Sequence, residues 1–420
     1  MAAPLLIRAR LVAPMAQKLI DDGALIISNG KIAEVGRFRD LYSIYAGDRI
    51  DLGEVALLPG LINAHCHLDY THMAGALPPP RSFPDWIKGI LALKAQWSYS
   101  EFAASWIAGA SQCLDHGITT VGDIEAVPEL IEESWAATPL RLLTFVELTG
   151  VRSQREPSAV ISEGLDVIKN TPKIPNKSAG LSPHAPYSTK GTLLSLVAKA
   201  SEQENFRVSI HLAESQAEFD MFLKAGGPLY DWLKTQRDVR DCGHCSPVAH
   251  VDTYDGLTER TVAVHVNYLA PGDAFRLALR KTHVVHCPQS HEYFQHARFP
   301  YEELKSAGVN IALGTDSLAS TRMRGKTKPE LNLFDELAQF SSTHSGVRPN
   351  ERLQLATLNA ARALGMQGDV GQLSPAAHAD VIALPFNARA SEFEEWACHE
   401  RPKVTGVMLA GNWVREPLAA

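Results

Sequence analysis

The sequence predicts an α/β fold, a TIM-like (β/α)8 barrel inserted in a small discontinuous β-sandwich domain. Three observations carry that expectation. Residues 59–367 alternate eight short β-type runs with amphipathic helical stretches, the rhythm of parallel strands joined by crossovers. Residues 1–58 and 368–420 instead hold β-rich runs broken by turn signals. No strand candidate leads into a G-x-G-x-x-G or Walker loop, which leaves an open doubly wound sheet as the weaker alternative.

Taken in order, residues 5–12, 24–28 and 32–35 read as strands, the last two joined across the hairpin signal Asn29-Gly30. At the far end, residues 380–384 and 404–409 read as strands, and Ala410-Gly411-Asn412 turns the chain into Trp413-Val414. Neither end is large enough for a stable sheet of its own, so the two are expected to meet in one composite domain, 1–58 with 368–420. Between them the barrel strands are expected at 61–65, 118–123, 141–147, 179–183, 207–212, 261–266, 282–287 and 309–315. Helical periodicity fills 84–97, 101–116, 189–204, 273–281 and 329–340.

Composition narrows the function classes. Of 420 residues, 45% are hydrophobic and 21% charged, values of ordinary globular chains and not of disordered ones. The net charge of −7 offers no basic field for a nucleic-acid backbone. No apolar run approaches the roughly 18 residues of a membrane span, and Arg8 and Arg10 interrupt the N-terminus before a signal-peptide core develops. Six cysteines in so long a chain do not resemble a disulfide scaffold and point to a reducing cytoplasm. Sixteen histidines are the unusual count, and their positions decide what they mean.

Barrels of this kind place their chemistry at the C-terminal ends of the strands, while interior positions favour Val, Ile and Leu. Here the first strand ends in His65-Cys66-His67, the fourth at His184, and the fifth at His211 with Glu214 three residues on. The sixth strand carries His265 and the eighth runs into Asp316. Side chains two apart on a strand share a side, so His65 and His67 can bite a single metal ion. Alone, such a pair is weak evidence; with further candidate ligands at other strand ends it becomes strong.

Residues 59–67, the run His211-Leu212-Ala213-Glu214 and the run Gly314-Thr315-Asp316-Ser317 resemble the amidohydrolase superfamily, in particular its metal-dependent deaminase and chlorohydrolase branch. Within that branch the chain is similar to adenosine-derivative and aminodeoxyfutalosine deaminases. The resemblance implies His65, His67, His211 and Asp316 as ligands of one divalent metal ion. It implies Glu214 as general acid–base, with His265 and Asp316 taking the proton of the attacking water and His184 contacting substrate. A second ion is not expected, because none of the eight strand ends offers a bridging lysine. Three imidazoles and a carboxylate that leave a position open suit catalytic zinc, and iron or manganese would accept the same donors. The implied reaction is hydrolytic deamination of a small amino-heterocycle, first an adenine-type nucleoside. Triazine dechlorination or amide-type hydrolysis at the same site is the alternative, and a non-catalytic scaffold the bland one. One departure stands out. Relatives acting on methylthioadenosine and S-adenosylhomocysteine carry a ribose-binding glutamate after the tryptophan that matches Trp86, and residues 87–96 contain none.

Other residues divide between functional and structural roles. Trp86, in the stiff segment 76–86, is a candidate pocket wall, and His291, just past strand seven, a candidate substrate contact. Asp123 and Glu147 end strands two and three, where either a substrate hydroxyl or a neighbouring loop could be their partner. Cys242 and Cys245 read as ordinary thiols. His116, His250, His344, His378 and His399 read as surface or loop residues and His283 as a barrel residue. A homodimer is the expected assembly.

Overall fold

The computed structural model describes residues 4–45, 47–78, 80–150 and 155–417. The fold is the expected one: eight parallel strands in sequential order form a nearly closed barrel, accompanied by a separate mixed sheet built from both ends of the chain. The barrel strands are Leu61–Cys66, Ile118–Glu125, Arg141–Leu148, Lys177–Pro183, Val208–Leu212, Thr261–His265, His283–His286 and Ile311–Leu313. The eighth is shorter than its hydrophobic run suggests, because from residue 315 onward the chain bonds across the seam to the first strand.

That seam positions the site. Thr315 and Asp316 N–H both donate to the His65 carbonyl, at 3.1 and 3.2 Å. Asn63 locks the pair from its side chain, accepting from Thr315 N at 3.0 Å and donating to Thr315 Oγ1 at 2.7 Å. Gly314 is required here, since a Cβ would lie 2.7 Å from the His65 carbonyl oxygen. Barrel closure and the mutual placement of His65, His67 and Asp316 are therefore one structural event.

In the mixed sheet, Leu5–Val12 pairs antiparallel with Ile20–Ser28, which pairs with Lys31–Arg37. Asn29 and Gly30 both take positive φ (51° and 75°), as a two-residue hairpin turn demands. The other edge of Leu5–Val12 is shared. Its first half pairs with Asp48–Asp51 and its second with Val55–Pro59, so the sheet splits there. Val381–Pro385 lies against Val55–Pro59, followed by Gly406–Leu409 and Asn412–Arg415, so strands from the two chain ends are hydrogen-bonded neighbours.

One buried ion pair ties sheet to barrel. Arg141, which opens the third barrel strand, reaches Asp380 Oδ2 at 3.1 Å, with 8% and 2% of the two side chains exposed. Asp380 Oδ1 also accepts from Ala410 N at 2.8 Å, and its carbonyl from Gly60 N at 2.9 Å.

The helices begin where their caps allow. Ser82 caps Phe83–Lys94, and a Ser98/Glu101 capping box starts Tyr99–Asp115. Asn332 accepts from Phe334 N at 2.9 Å, which starts the helix Leu333–Thr343 later than the periodicity from 329 suggests.

Two histidines expected at the surface or in loops are buried, His250 in a short helix and His344 in the loop after Leu333–Thr343, each 3% exposed. His250 sits on the inner face of the short helix Pro247–Thr253 with its ring 4.6 Å from Phe222, and His344 stacks 4.5 Å from Phe340. Short helices have too little periodicity to reveal which face turns inward. All six cysteines are unpaired. Burial, then Asp241, pushes the Cys242 thiol up to about 12, which makes it inert.

His283 opens the seventh barrel strand and accepts a hydrogen bond at Nδ1 from Asn310. Burial, with Arg207 and Arg362 nearby, lowers its pKa from 6.5 to about 4. Above pH 6.5 neither folded nor unfolded chain protonates it, and its contribution to stability is complete. As pH falls toward 4 the unfolded chain alone takes up the proton, so that contribution is lost. Denaturant titrations should therefore show the stability of wild type, relative to His283→Gln, shrinking between pH 7 and pH 4.5. A difference independent of pH would contradict this assignment.

Candidate metal and catalytic site

The strand ends converge as their spacing suggests. One ring nitrogen from each of His65, His67 and His211 and one Asp316 oxygen lie within 4.8 Å of one another, and all four residues are buried. Glu214, His265 and Asp316 form a second such group, sharing the aspartate. His65 Nε2 and His67 Nε2 stand 3.6 and 3.7 Å from Asp316 Oδ1.

The hydrogen bonds around these groups decide which atoms face inward. His211 Nδ1–H donates to the His184 carbonyl at 2.9 Å, leaving Nε2 as a lone pair 3.3 Å from His67 Nε2. Two such nitrogens repel unless a cation or a proton lies between them. Asp316 Oδ2 accepts from Ser290 Oγ at 2.6 Å and Ser320 Oγ at 3.1 Å, which turns Oδ1 toward the imidazoles. Both His65 ring nitrogens, His67 Nδ1 and His265 Nε2 are buried without a hydrogen-bond partner. Native interiors rarely leave such atoms unsatisfied. The donor set therefore fits a divalent ion held by His65, His67, His211 and Asp316.

Electrostatics sort the groups into roles. Burial, with Asp316 and Glu218 adding, holds the Glu214 carboxyl well above the usual carboxylate range. Burial acts on Asp316 in the same direction, but His65, His265 and His67 outweigh it and hold Asp316 well below that range. Burial keeps His265 neutral, down at about 3. His265 Nε2 lies 3.6 Å from Glu214 Oε1. The backbone turns sharply to aim these side chains. Ala213, His265, Val266 and Asp316 all take positive φ (48°, 74°, 49° and 54°), unfavourable for non-glycine residues and worst for a β-branched one. Strain of this kind persists where the surroundings over-determine the geometry, as active sites do.

Glu218 supplies part of that determination. Its buried carboxylate accepts from Ala213 N at 3.1 Å and Glu214 N at 2.8 Å, clamping the turn between His211 and Glu214. Sequence reading missed it, although Ser215-Gln216-Ala217-Glu218 has helix-start spacing and Ser215 does cap this helix. Ser290, Ser320 and Asn63 were also missed. Only their tertiary position distinguishes them from other small polar residues.

A cavity of about 260 Å³ opens above the group, lined by His67, His211, Glu214 and Asp316 at its floor and by Trp86, Ile90 and Trp232 among its walls. His184 and Trp86 line it as expected. Ser188 donates its hydroxyl to the Ala185 carbonyl, so His184 Nδ1–H donates to Ser188 Oγ at 2.6 Å and Nε2 is left as an acceptor. Trp86 stacks with Phe83 at 6.1 Å, and Pro79 of the same loop lies outside the described residues. His291 is not brought to the cavity; its Nδ1 lies 3.0 Å from Asn267 Oδ1, and its ring packs on His286 and His296. Residues 288–293 form a short helix that carries Ser290 toward Asp316 and turns His291 away. Asp123 is structural, accepting from Leu68 N and Trp106 Nε1 at 3.1 and 2.9 Å and thereby fixing the segment after His67. Glu147 lines the cavity.

The amidohydrolase family model matches residues 56–414, which takes in the whole barrel and the later strands of the mixed sheet, from Val55–Pro59 onward, but not its first four. The chain belongs to the amidohydrolase family. A 5-methylthioadenosine/S-adenosylhomocysteine deaminase of Syntrophobacter fumaroxidans is 30% identical over 380 residues, covering 87% of this chain and 80% of that protein. An aminodeoxyfutalosine deaminase of Deinococcus radiodurans is 28% identical, covering 82% and 81%. Among solved structures, an adenosine deaminase from Xanthomonas campestris with bound zinc superposes with a TM-score of 0.83 at 24% identity, covering 99% of this chain and 93% of that one. This last likeness is one of fold.

Proposed function

We propose that this amidohydrolase is a zinc-dependent deaminase of an adenine-type nucleoside or a close derivative, converting an amino-substituted ring carbon to a carbonyl with release of ammonia. The observation that carries this reading is the position of Glu214. Its buried carboxyl, biased toward the protonated form, stands beside the His65/His67/His211/Asp316 group on the floor of an aromatic-walled cavity. An amino group is a poor leaving group, so deamination needs proton delivery by such an acid. The deaminase names of the relatives support the same chemistry.

These four residues would hold a divalent ion, and such an ion would supply a water of pKa lowered toward about 7 as nucleophile at neutral pH. The chain's own residues do the rest. As the water oxygen bonds to the ring carbon, its protons must reach the adjacent ring nitrogen and the departing nitrogen. Glu214 gives its proton to the ring nitrogen and is recharged with one proton of the attacking water. Asp316 and His265 hold the water's other proton, which passes to the departing amino group, so all three groups end in their starting protonation states. His184 Nε2 accepts from the heterocycle, and Trp86 closes the wall over it. Carbon–oxygen bond formation and carbon–nitrogen cleavage then balance as substrate plus water giving carbonyl product plus ammonia. Among the described residues no helix is long and apolar enough to cross a membrane, and unpaired cysteines accord with a cytoplasmic enzyme of nucleoside metabolism.

The test is ammonia release by the purified protein, with metal analysis alongside. Adenosine, 5′-methylthioadenosine and aminofutalosine-type nucleosides should be turned over, with about one zinc ion per chain. Chloride release from triazines without ammonia release from any purine would overturn the reading.

A further inference from the structure

The cavity contains a charged pair that the deamination chemistry does not use. Lys94, in the last turn of Phe83–Lys94, and Glu147, near the end of the third barrel strand, both line it. Lys94 is the sole lysine or arginine among the described lining residues. Its ammonium donates to Tyr70 Oη and lies 4.9 Å from the centre of the Tyr70 ring, which stacks on His67. Glu147 acts electrostatically on both Lys94 and His184, yet no ion pair forms between Lys94 and Glu147. No described residue donates a hydrogen bond to the Glu147 carboxylate. A half-buried carboxylate is thus left open to the cavity, with an anchored ammonium nearby but out of direct reach.

Such a pair disfavours singly charged and purely apolar substituents. An anionic substituent meets Glu147, a cationic one meets Lys94, and an apolar one leaves both charges desolvated without partners. A neutral vicinal diol satisfies both, because a carboxylate accepts from two hydroxyls at once while an ammonium donates to one of their oxygens. The neighbouring wall of Trp86, Ile87, Ile90, Leu91 and Leu233 suits the apolar remainder of a substrate and offers those hydroxyls no partner.

We propose that Glu147 and Lys94 form the subsite for the ribosyl 2′,3′-diol of the substrate, with Glu147 as acceptor of both hydroxyls and Lys94 as donor, so that the enzyme takes nucleosides in preference to free bases or deoxy analogues. The inference rests on the deamination reading. It moves the diol-binding carboxylate to a barrel strand, on a chain whose residues 87–96 hold no glutamate.

The experiment compares kcat/KM for adenosine, 2′,3′-dideoxyadenosine and adenine in wild type, Glu147→Gln and Glu147→Asp, with metal content and melting temperature checked for each. Wild type should prefer adenosine over dideoxyadenosine by about 10²-fold, the worth of two hydrogen bonds to a charged acceptor. In Glu147→Gln that preference should collapse to less than about tenfold, mainly through KM for adenosine, and Glu147→Asp should recover part of it. Two results would overturn the proposal: no discrimination by wild type, or a wild-type ratio retained in Glu147→Gln with both substrates slowed equally. Deamination of adenine and dideoxyadenosine without discrimination would remove the diol subsite and leave the deaminase standing. Absence of ammonia from all three, and from 5′-methylthioadenosine, would remove the deaminase reading and the subsite with it.

Discussion

Glu214→Gln should lower kcat for ammonia release by about 10³-fold or more while metal content stays at the wild-type level. The amide keeps the size of the side chain and can still form a hydrogen bond, but it cannot relay a proton from water to ring nitrogen. Glu214 lies outside the His65/His67/His211/Asp316 group, so loss of its charge should not release the ion. The variant also separates two arrangements that share Asp316. Were the ion held by Glu214, His265 and Asp316 instead, the substitution would lower metal content together with activity. Undiminished ammonia release would exclude Glu214 from proton transfer altogether.

The largest expected effect on stability lies far from the chemistry. Asp380→Ala should destabilise the folded state by about 3–5 kcal/mol, because it strands the Arg141 guanidinium in a buried position. Arg141 retains only Asn176 Oδ1, at 2.9 Å, and Ala410 N loses its acceptor. The loss should appear as a lowered melting temperature and denaturant midpoint. Arg141→Met combined with Asp380→Ala should recover part of it, since the stranded charge is gone. A double variant as unstable as the sum of the two single variants would show that the two residues act independently and that the pair is not the tie.

Much of the site is legible in the sequence because its chemistry is unusual for its position. Histidines and carboxylates stand at strand ends where packing favours aliphatic residues, and a two-residue period carries His65 and His67 to one side. His211-Leu212-Ala213-Glu214 spans the end of a strand and a sharp turn, so the general-acid candidate is found by counting from the strand. Legibility fails where a residue's role depends on what lies across the barrel. Ser290 and Ser320 look like any other serines until both donate to Asp316 Oδ2. His291, one residue from Ser290, looks like a substrate contact until the helix it belongs to points it at Asn267. Asp123 and Glu147 are equivalent as strand-end carboxylates. Only the burial of the first against Trp106 and the openness of the second separate them.

The sequence by itself determined the barrel rhythm, the two β-rich ends and the identities of the groups at the strand ends, because these follow from local periodicity and from residue types that a core does not select. The tertiary structure alone decided which nitrogen of His211 faces inward, which carboxyl is biased toward its protonated form, and which charge is left for a ligand. Those properties arise from hydrogen bonds and burial between residues far apart in the chain, as when Thr315 and Asp316 bond to His65 across the seam.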